Sequence, residues 1–289
     1  MRRKLSVKKS SIKPEDIKAN IYDTIKLIID ISGVTSSYLN SIQETFKELF
    51  LPERYNLKET ELYADEVNDL NERESGKMTL ASRKRLMEKE SVLRFCSKDD
   101  NEEVVISRLF VCIKLEYKAA HSLTKKINLM GSIIKCFSNS GYFGIERITL
   151  IKINSIVVCI SLYRLYQCFS KSMFGDITYT LGRQGKEVTE IFLENESYFI
   201  YGENEVTVSK TVQKGIYNDN EKSVVYEGVL NINTCYERVE NKDIDVATKI
   251  QELNSIIFEI FISHITGAFA EDLVKGDTNK VVGGFNKNE

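Results

Sequence analysis

The stretch IYDTIKLIIDI at residues 21–31 decides how the rest of the chain is read. Ile25, Leu27, Ile29 and Ile31 fall on one side of a period-two pattern and Thr24, Lys26 and Asp30 on the other, the signature of a half-buried strand. Ser32 and Gly33 break the pattern, and Thr35 or Ser36 can cap a helix. Tyr38, Ile42, Phe46 and Leu49 then recur at helical spacing as far as Pro52. A second strand of the same kind, GIERITLIKINSI at 144–156, opens an equivalent run further along.

The order strand, helix, strands, helix is therefore expected twice. In the first pass, residues 92–96 and 104–115 read as two strands around the polar turn 97–103. Ala120, Leu123, Ile127, Met130, Ile134 and Phe137 then step by three and four along a helix over 117–137. In the second pass, 162–169 has helical spacing. Strands are expected at 177–181, 188–193, 197–201, 205–212 and 224–235, with turns at 182–185, 194–196 and 202–204 and a loop at 214–222. A helix over 246–273, apolar on more than one side, closes the pass and must be gripped by the sheet or by a partner.

The fold class is accordingly α+β. Two β-α-β(n)-α halves form a curved antiparallel sheet gripping helices, like a duplicated helix-grip or TATA-binding-protein-like unit. The halves span 21–141, with a charged insertion at 52–91, and 142–273, with the closing helix. Residues 1–20 read as a basic flexible tail and 274–289 as a second flexible tail.

Composition bounds the function classes. At 42% hydrophobic and 10% aromatic residues, the 289-residue chain can bury a full core, and a net charge of −2 gives no global basicity for nucleic acid. The six cysteines show no CxxC or CxH spacing, which implies reduced, buried thiols and a cytoplasmic protein. The basic start lacks the apolar core of a signal peptide, and no stretch reaches the roughly 18 apolar residues of a membrane span, so no membrane is expected.

Positive charge is local. Arg2, Arg3, Lys4, Lys8 and Lys9 in the tail, and Lys77, Arg83, Lys84, Arg85 and Lys89 in the insertion, are the candidate contacts for a protein partner or a nucleic acid. No GxSxG, HExxH, Walker, Rossmann or kinase signature is present, so no catalytic residue, cofactor or metal is assigned. GRQGK at 182–186 is flanked by expected strands and reads as a hairpin turn rather than a phosphate loop. Amides placed within strands, at Asn154 and at Asn231 or Asn233, either face solvent or line a cavity. That cavity, under the closing helix, would hold Lys152, Asn154, Tyr226, Tyr236 and His264. His264 otherwise reads as a satisfied core histidine, and His121 as a boundary residue.

Four stretches carry a resemblance: LRFCSKDD (93–100), IERITLIKINSI (145–156), GVLNINTCY (228–236) and LNSIIFEIFISHIT (253–266). In this order they resemble a sporadically distributed family of uncharacterised bacterial proteins with RF-SED-like, RIGLRYIN-like and LDID-Y-like strands and a closing helix of the type LH-IF-IT. Asn231 and Asn233 stand in place of the family's aspartates, and Asn254 in place of its helix histidine. The family's patchy distribution implies mobile genetic cargo such as phage-defence or toxin-immunity loci. The expectation is a non-catalytic binding or regulatory protein acting through a protein partner. The alternatives are nucleic-acid binding through the basic tail and the Lys77 to Lys89 cluster, or a small-ligand sensor or enzyme using the cavity.

Overall fold

The computed structural model describes residues 11–19, 22–50, 55–62, 90–97, 101–116, 123–159, 162–174, 192–217, 223–237 and 244–277. The first half comprises β1 (Tyr22–Ser32), α1 (Ser36–Ser41), α2 (Gln43–Phe50), β2 (Asn56–Leu62), β3 (Glu90–Cys96), β4 (Glu102–Ile106), β5 (Phe110–Glu116) and α3 (Leu123–Phe137). The second comprises β6 (Gly144–Cys159), α4 (Leu162–Cys168), β7 (Phe192–Tyr201), β8 (Asn204–Tyr217), β9 (Ser223–Glu237), α5 (Val246–His264) and α6 (Gly267–Lys275).

The nine strands among the described residues form one open antiparallel sheet in the order β2-β3-β4-β5-β1-β6-β9-β8-β7. In each half the first strand leads into helices, and the last strand of the following meander returns to pair with it, β5 on β1 and β9 on β6. The two first strands pair with each other, so the halves share one sheet rather than forming separate bodies.

The pattern that defines β1 also sets its burial. Ile25, Leu27, Ile29 and Ile31 enter the main core, where they join Val111, Ile113 and Leu115 of β5, Ile148, Leu150, Ile156 and Val158 of β6, and Leu230 and Ile232 of β9. Ile127, Met130, Ile134 and Phe137 of α3 and Ile250, Leu253, Ile257 and Phe261 of α5 fill the same core, so the helices cover this face. On the opposite face a smaller apolar cluster, Ile28, Val92, Val105, Phe110, Cys112 and Ile151, is buried across the strands of the first half and the adjoining β6. Thr35 caps α1 as expected, its hydroxyl accepting the Tyr38 amide at 3.2 Å.

Two glycines are required by close approach. Gly33 has φ +75°, and a Cβ there would stand 1.8 Å from the Tyr142 carbonyl oxygen. At Gly228, in the middle of β9, a Cβ would stand 2.6 Å from the Phe169 ring.

Several expectations are corrected. Residues 104–115 form two strands, because Ser107 makes a tight turn: its hydroxyl accepts the amides of Leu109 and Phe110, each at 3.0 Å. The closing helix is two helices. Ile265 is extended and bridges to Phe169, the Thr266 amide donates to the Cys168 carbonyl at 2.8 Å, and the Thr266 hydroxyl then caps α6. The helix read over 38–49 is likewise divided at Ile42. Residues 194–196, read as a turn, lie inside β7, and Lys214–Tyr217, read as loop, extends β8.

The insertion 52–91 contributes β2, paired along its length with β3, and the first residues of β3 itself. Part of the expected flexible tail is docked. Ile12 and Ala19 are buried, and the Lys18 and Ala19 amides both donate to the Leu273 carbonyl, at 3.0 and 3.2 Å. The expected strand 177–181, the turn 182–185, most of 188–193 and the start of the helix read from 117 lie outside the described residues.

Candidate functional site

β7, FLENESYFIY, is the last strand of the sheet among the described residues, and there it pairs with β8 alone. Gly202, at φ +64°, and Glu203 make the two-residue turn between them. Such a turn is flanked by a doubly hydrogen-bonded pair, here Tyr201 and Asn204, so odd-numbered residues of β7 bond to β8. The amides and carbonyls of Phe192, Glu194, Glu196, Tyr198 and Ile200 then point to the free edge. The hairpin is tied to α5: the Asn204 amide donates to Glu252 at 2.9 Å, and the Tyr201 hydroxyl donates to Glu259 at 3.3 Å.

Both sides of this edge are exposed. Phe192 is 67% accessible, Ile200 58% and Tyr198 48%, while Phe199 and Tyr201, on the helix side, remain 38% and 49% accessible. A protruding apolar edge of this length is a template for strand pairing, which soluble proteins ordinarily blunt.

The face of β6 to β9 away from the helices is polar and acidic. Val206, Val208 and Val212 of β8 enter the main core, so Glu205, Thr207, Ser209, Thr211 and Gln213 face the other way. Register then places Glu194 and Glu196 of β7, and Glu227 and Glu237 of β9, on that same face. Glu227 is held by the Ser155 hydroxyl and the Gln213 amide, each donating at 2.7 Å. Glu205 accepts a hydrogen bond from Tyr198, which raises the phenol above its ordinary pKa. Arg147 is the basic residue at the described outward positions of β6 to β9, and Asp30 already takes it at 2.5 Å. Burial raises the Asp30 carboxyl, opposed by the Arg147 charge.

The residues expected to share a cavity do not all meet. Lys152 and Asn154 are two apart on the helix-covered side of β6, 3% and 0% exposed. The partly buried Tyr22, which sequence reading did not single out, has its ring centroid 4.4 Å from the Lys152 ammonium. Burial pushes Lys152 down to about 7 and the Tyr22 phenol up to about 12. The Asn154 amide donates to the Leu230 carbonyl at 3.1 Å, which leaves its Oδ1 buried without a partner.

Tyr226 and Tyr236 lie opposite Val158 and Ile148, ten residues apart on one strand. At about 3.3 Å per residue no single pocket spans them. Tyr236 instead lies under the Lys249 ammonium, 4.1 Å from its ring centroid. His264 ends α5 with Nδ1 2.8 Å from the Ile260 carbonyl, a bond within its own helix. Asn231 and Asn233 face the acidic side of the sheet, opposite to Asn154, so they line no cavity with it.

The basic candidates Arg2, Arg3, Lys4, Lys8, Lys9, Lys77, Arg83, Lys84, Arg85 and Lys89, and His121, lie outside the described residues. Among the described residues, no three His, Cys, Asp or Glu side chains could hold a metal, and no helix is long and apolar enough to cross a membrane. One signal in the sequence could have revealed the edge. YFIY at 198–201 puts apolar groups on both faces of a strand, more than a sheet covered on one side needs. Comparison of the chain with protein-family models, curated proteins and solved structures returns no match.

Proposed function

We propose that this chain is a non-catalytic binding or regulatory protein that works by taking a protein partner onto the free edge of β7. The observation that carries the reading is the edge itself: outward backbone groups flanked by exposed Phe192, Tyr198, Phe199, Ile200 and Tyr201 on a hairpin pinned to α5. Main-chain pairing supplies affinity in strand addition, and the flanking side chains supply selectivity. The resemblance to sporadically distributed bacterial proteins supports a setting as an accessory or immunity component of a phage-defence or toxin locus. Cys96, Cys112, Cys136, Cys168 and Cys235, none of them in a disulfide among the described residues, support a cytoplasmic one.

The alternative of nucleic-acid binding would rest on the tail and insertion, because Glu194, Glu196, Glu205, Glu227 and Glu237 repel phosphate from the outward face of β7 to β9. The test is quantitative capture from native lysate with the wild-type chain and with Glu196→Pro, which blocks the free edge without removing a bond to β8. A stoichiometric protein lost with Glu196→Pro, at an unchanged melting temperature, is the expected result. A partner retained by that variant, or none captured by either chain, refutes edge binding.

A further inference from the structure

We infer that the segment received by β7 is extended and basic, with lysine or arginine opposite Glu194 and Glu196 and apolar residues opposite Phe192, Tyr198 and Ile200. This rests on the edge-binding reading and adds the chemistry of the partner. A strand laid against β7 places every second side chain on the acidic face of the sheet, because directly opposed residues in a ladder share a face. There the incoming side chains meet, in order along β7, an aromatic ring, two carboxylates, a phenol and an isoleucine. Behind them stand Glu205, Glu227 and Glu237, and the Arg147 guanidinium is committed to Asp30. The potential over this face is negative, and an acidic segment would be repelled from an edge that its backbone could otherwise join.

The same charges weigh against a second copy of this chain. A twofold-related β7 would bring its own Glu194 and Glu196, and its own acidic face, alongside the first. The apolar residues at both ends of β7 give the complex contact area, while the carboxylates in its middle select the partner by charge.

The experiment uses the full-length chain and two fluorescent peptides of the length of β7, 10 residues. They alternate valine with threonine, one carrying two central lysines and the other two central glutamates. Fluorescence anisotropy is followed at low and high salt for wild type, Glu194→Lys/Glu196→Lys and Glu196→Pro. The lysine peptide is expected to bind wild type about tenfold more tightly than the glutamate peptide at low salt, with the gap narrowing at high salt. In the charge-swapped variant the preference reverses, and Glu196→Pro weakens both peptides. Equal binding of the two peptides, lost on Glu196→Pro, overturns the charge inference while leaving edge binding intact. Failure of both peptides to bind, or insensitivity to Glu196→Pro, overturns both. A wild-type dimer that Glu196→Pro dissociates would overturn the basic partner in favour of a second copy.

Discussion

The Lys152 ammonium lies 4.4 Å from the centroid of the Tyr22 ring and has no carboxylate or hydrogen-bond partner among the described residues. A lysine held this way destabilises the fold whenever it is charged, because the ring returns little of the hydration it has lost.

The stability of the chain should therefore depend on pH through this residue. With its folded pKa lowered to about 7 from 10.5, Lys152 is charged in both states at acid pH, where the burial penalty is complete. Between about 7 and 10.5 the unfolded chain binds more protons than the folded one, so stability contributed through this group rises with pH. Lys152→Met should stabilise by up to about 4 kcal/mol at pH 6 and by much less at pH 10. Urea denaturation of both proteins across that range is the check, and a difference independent of pH would remove the assignment.

Gly228→Ala should cost about 1–3 kcal/mol, since its Cβ would stand 2.6 Å from Cε2 and 3.1 Å from Cδ2 of Phe169. Adding Phe169→Leu should recover part of that loss by giving the methyl room. A double-mutant cycle by thermal melting reads the coupling, and strictly additive costs would show that the two residues do not press on each other.

Glu102→Gln should destabilise more than Lys126→Met. Lys126 is 2% exposed, with its ammonium 2.8 Å from both the Glu102 carboxylate and the Tyr55 hydroxyl, while Tyr55 donates to Glu102 at 2.5 Å. Removing the carboxylate leaves a buried cation without its anion, at a cost of about 3–5 kcal/mol, whereas removing the cation leaves an acid still bonded to Tyr55. Chemical denaturation of the two variants decides the order.

Phe192→Lys and Ile200→Lys should leave stability within about 0.5 kcal/mol and raise solubility, because both side chains are mostly exposed on an edge strand. Light scattering at rising protein concentration, beside thermal melts, measures the two effects separately. A drop in melting temperature would mean that these side chains are buried in the native molecule.

Periodicity made much of the fold legible. The alternation in β1 and β6, the helical stripes of α3 and α5 and the Thr35 cap are local patterns, and each is where its residues predicted. The turn at Ser107 was less legible, because Val104, Val105 and Ile106 are all apolar and the residues alone do not say which of them face the core. Val104 and Ile106 share the main core with Val111, Ile113 and Leu115, which an uninterrupted strand cannot arrange, since neighbours of opposite parity point to opposite faces. The break after His264 was not legible, because Ile265 leaves the helix to pair with Phe169, nearly a hundred residues earlier.

The candidate site divides in the same way. Lys152 and Asn154 could be grouped from the chain alone, because residues two apart on a strand share a face. Tyr22 joined them only through the pairing of β1 with β6. Tyr226 and Tyr236 have suitable chemistry but stand ten residues apart on β9, since side-chain type carries no information about position along a long strand. By itself the sequence determined the elements and which side of each is apolar, for those are properties of neighbours in the chain. Only the tertiary structure decided that β7 lies at the edge with its aromatics uncovered and that five glutamates from three strands share one face. Strand order and register bring distant residues together, and neither is written in any one segment.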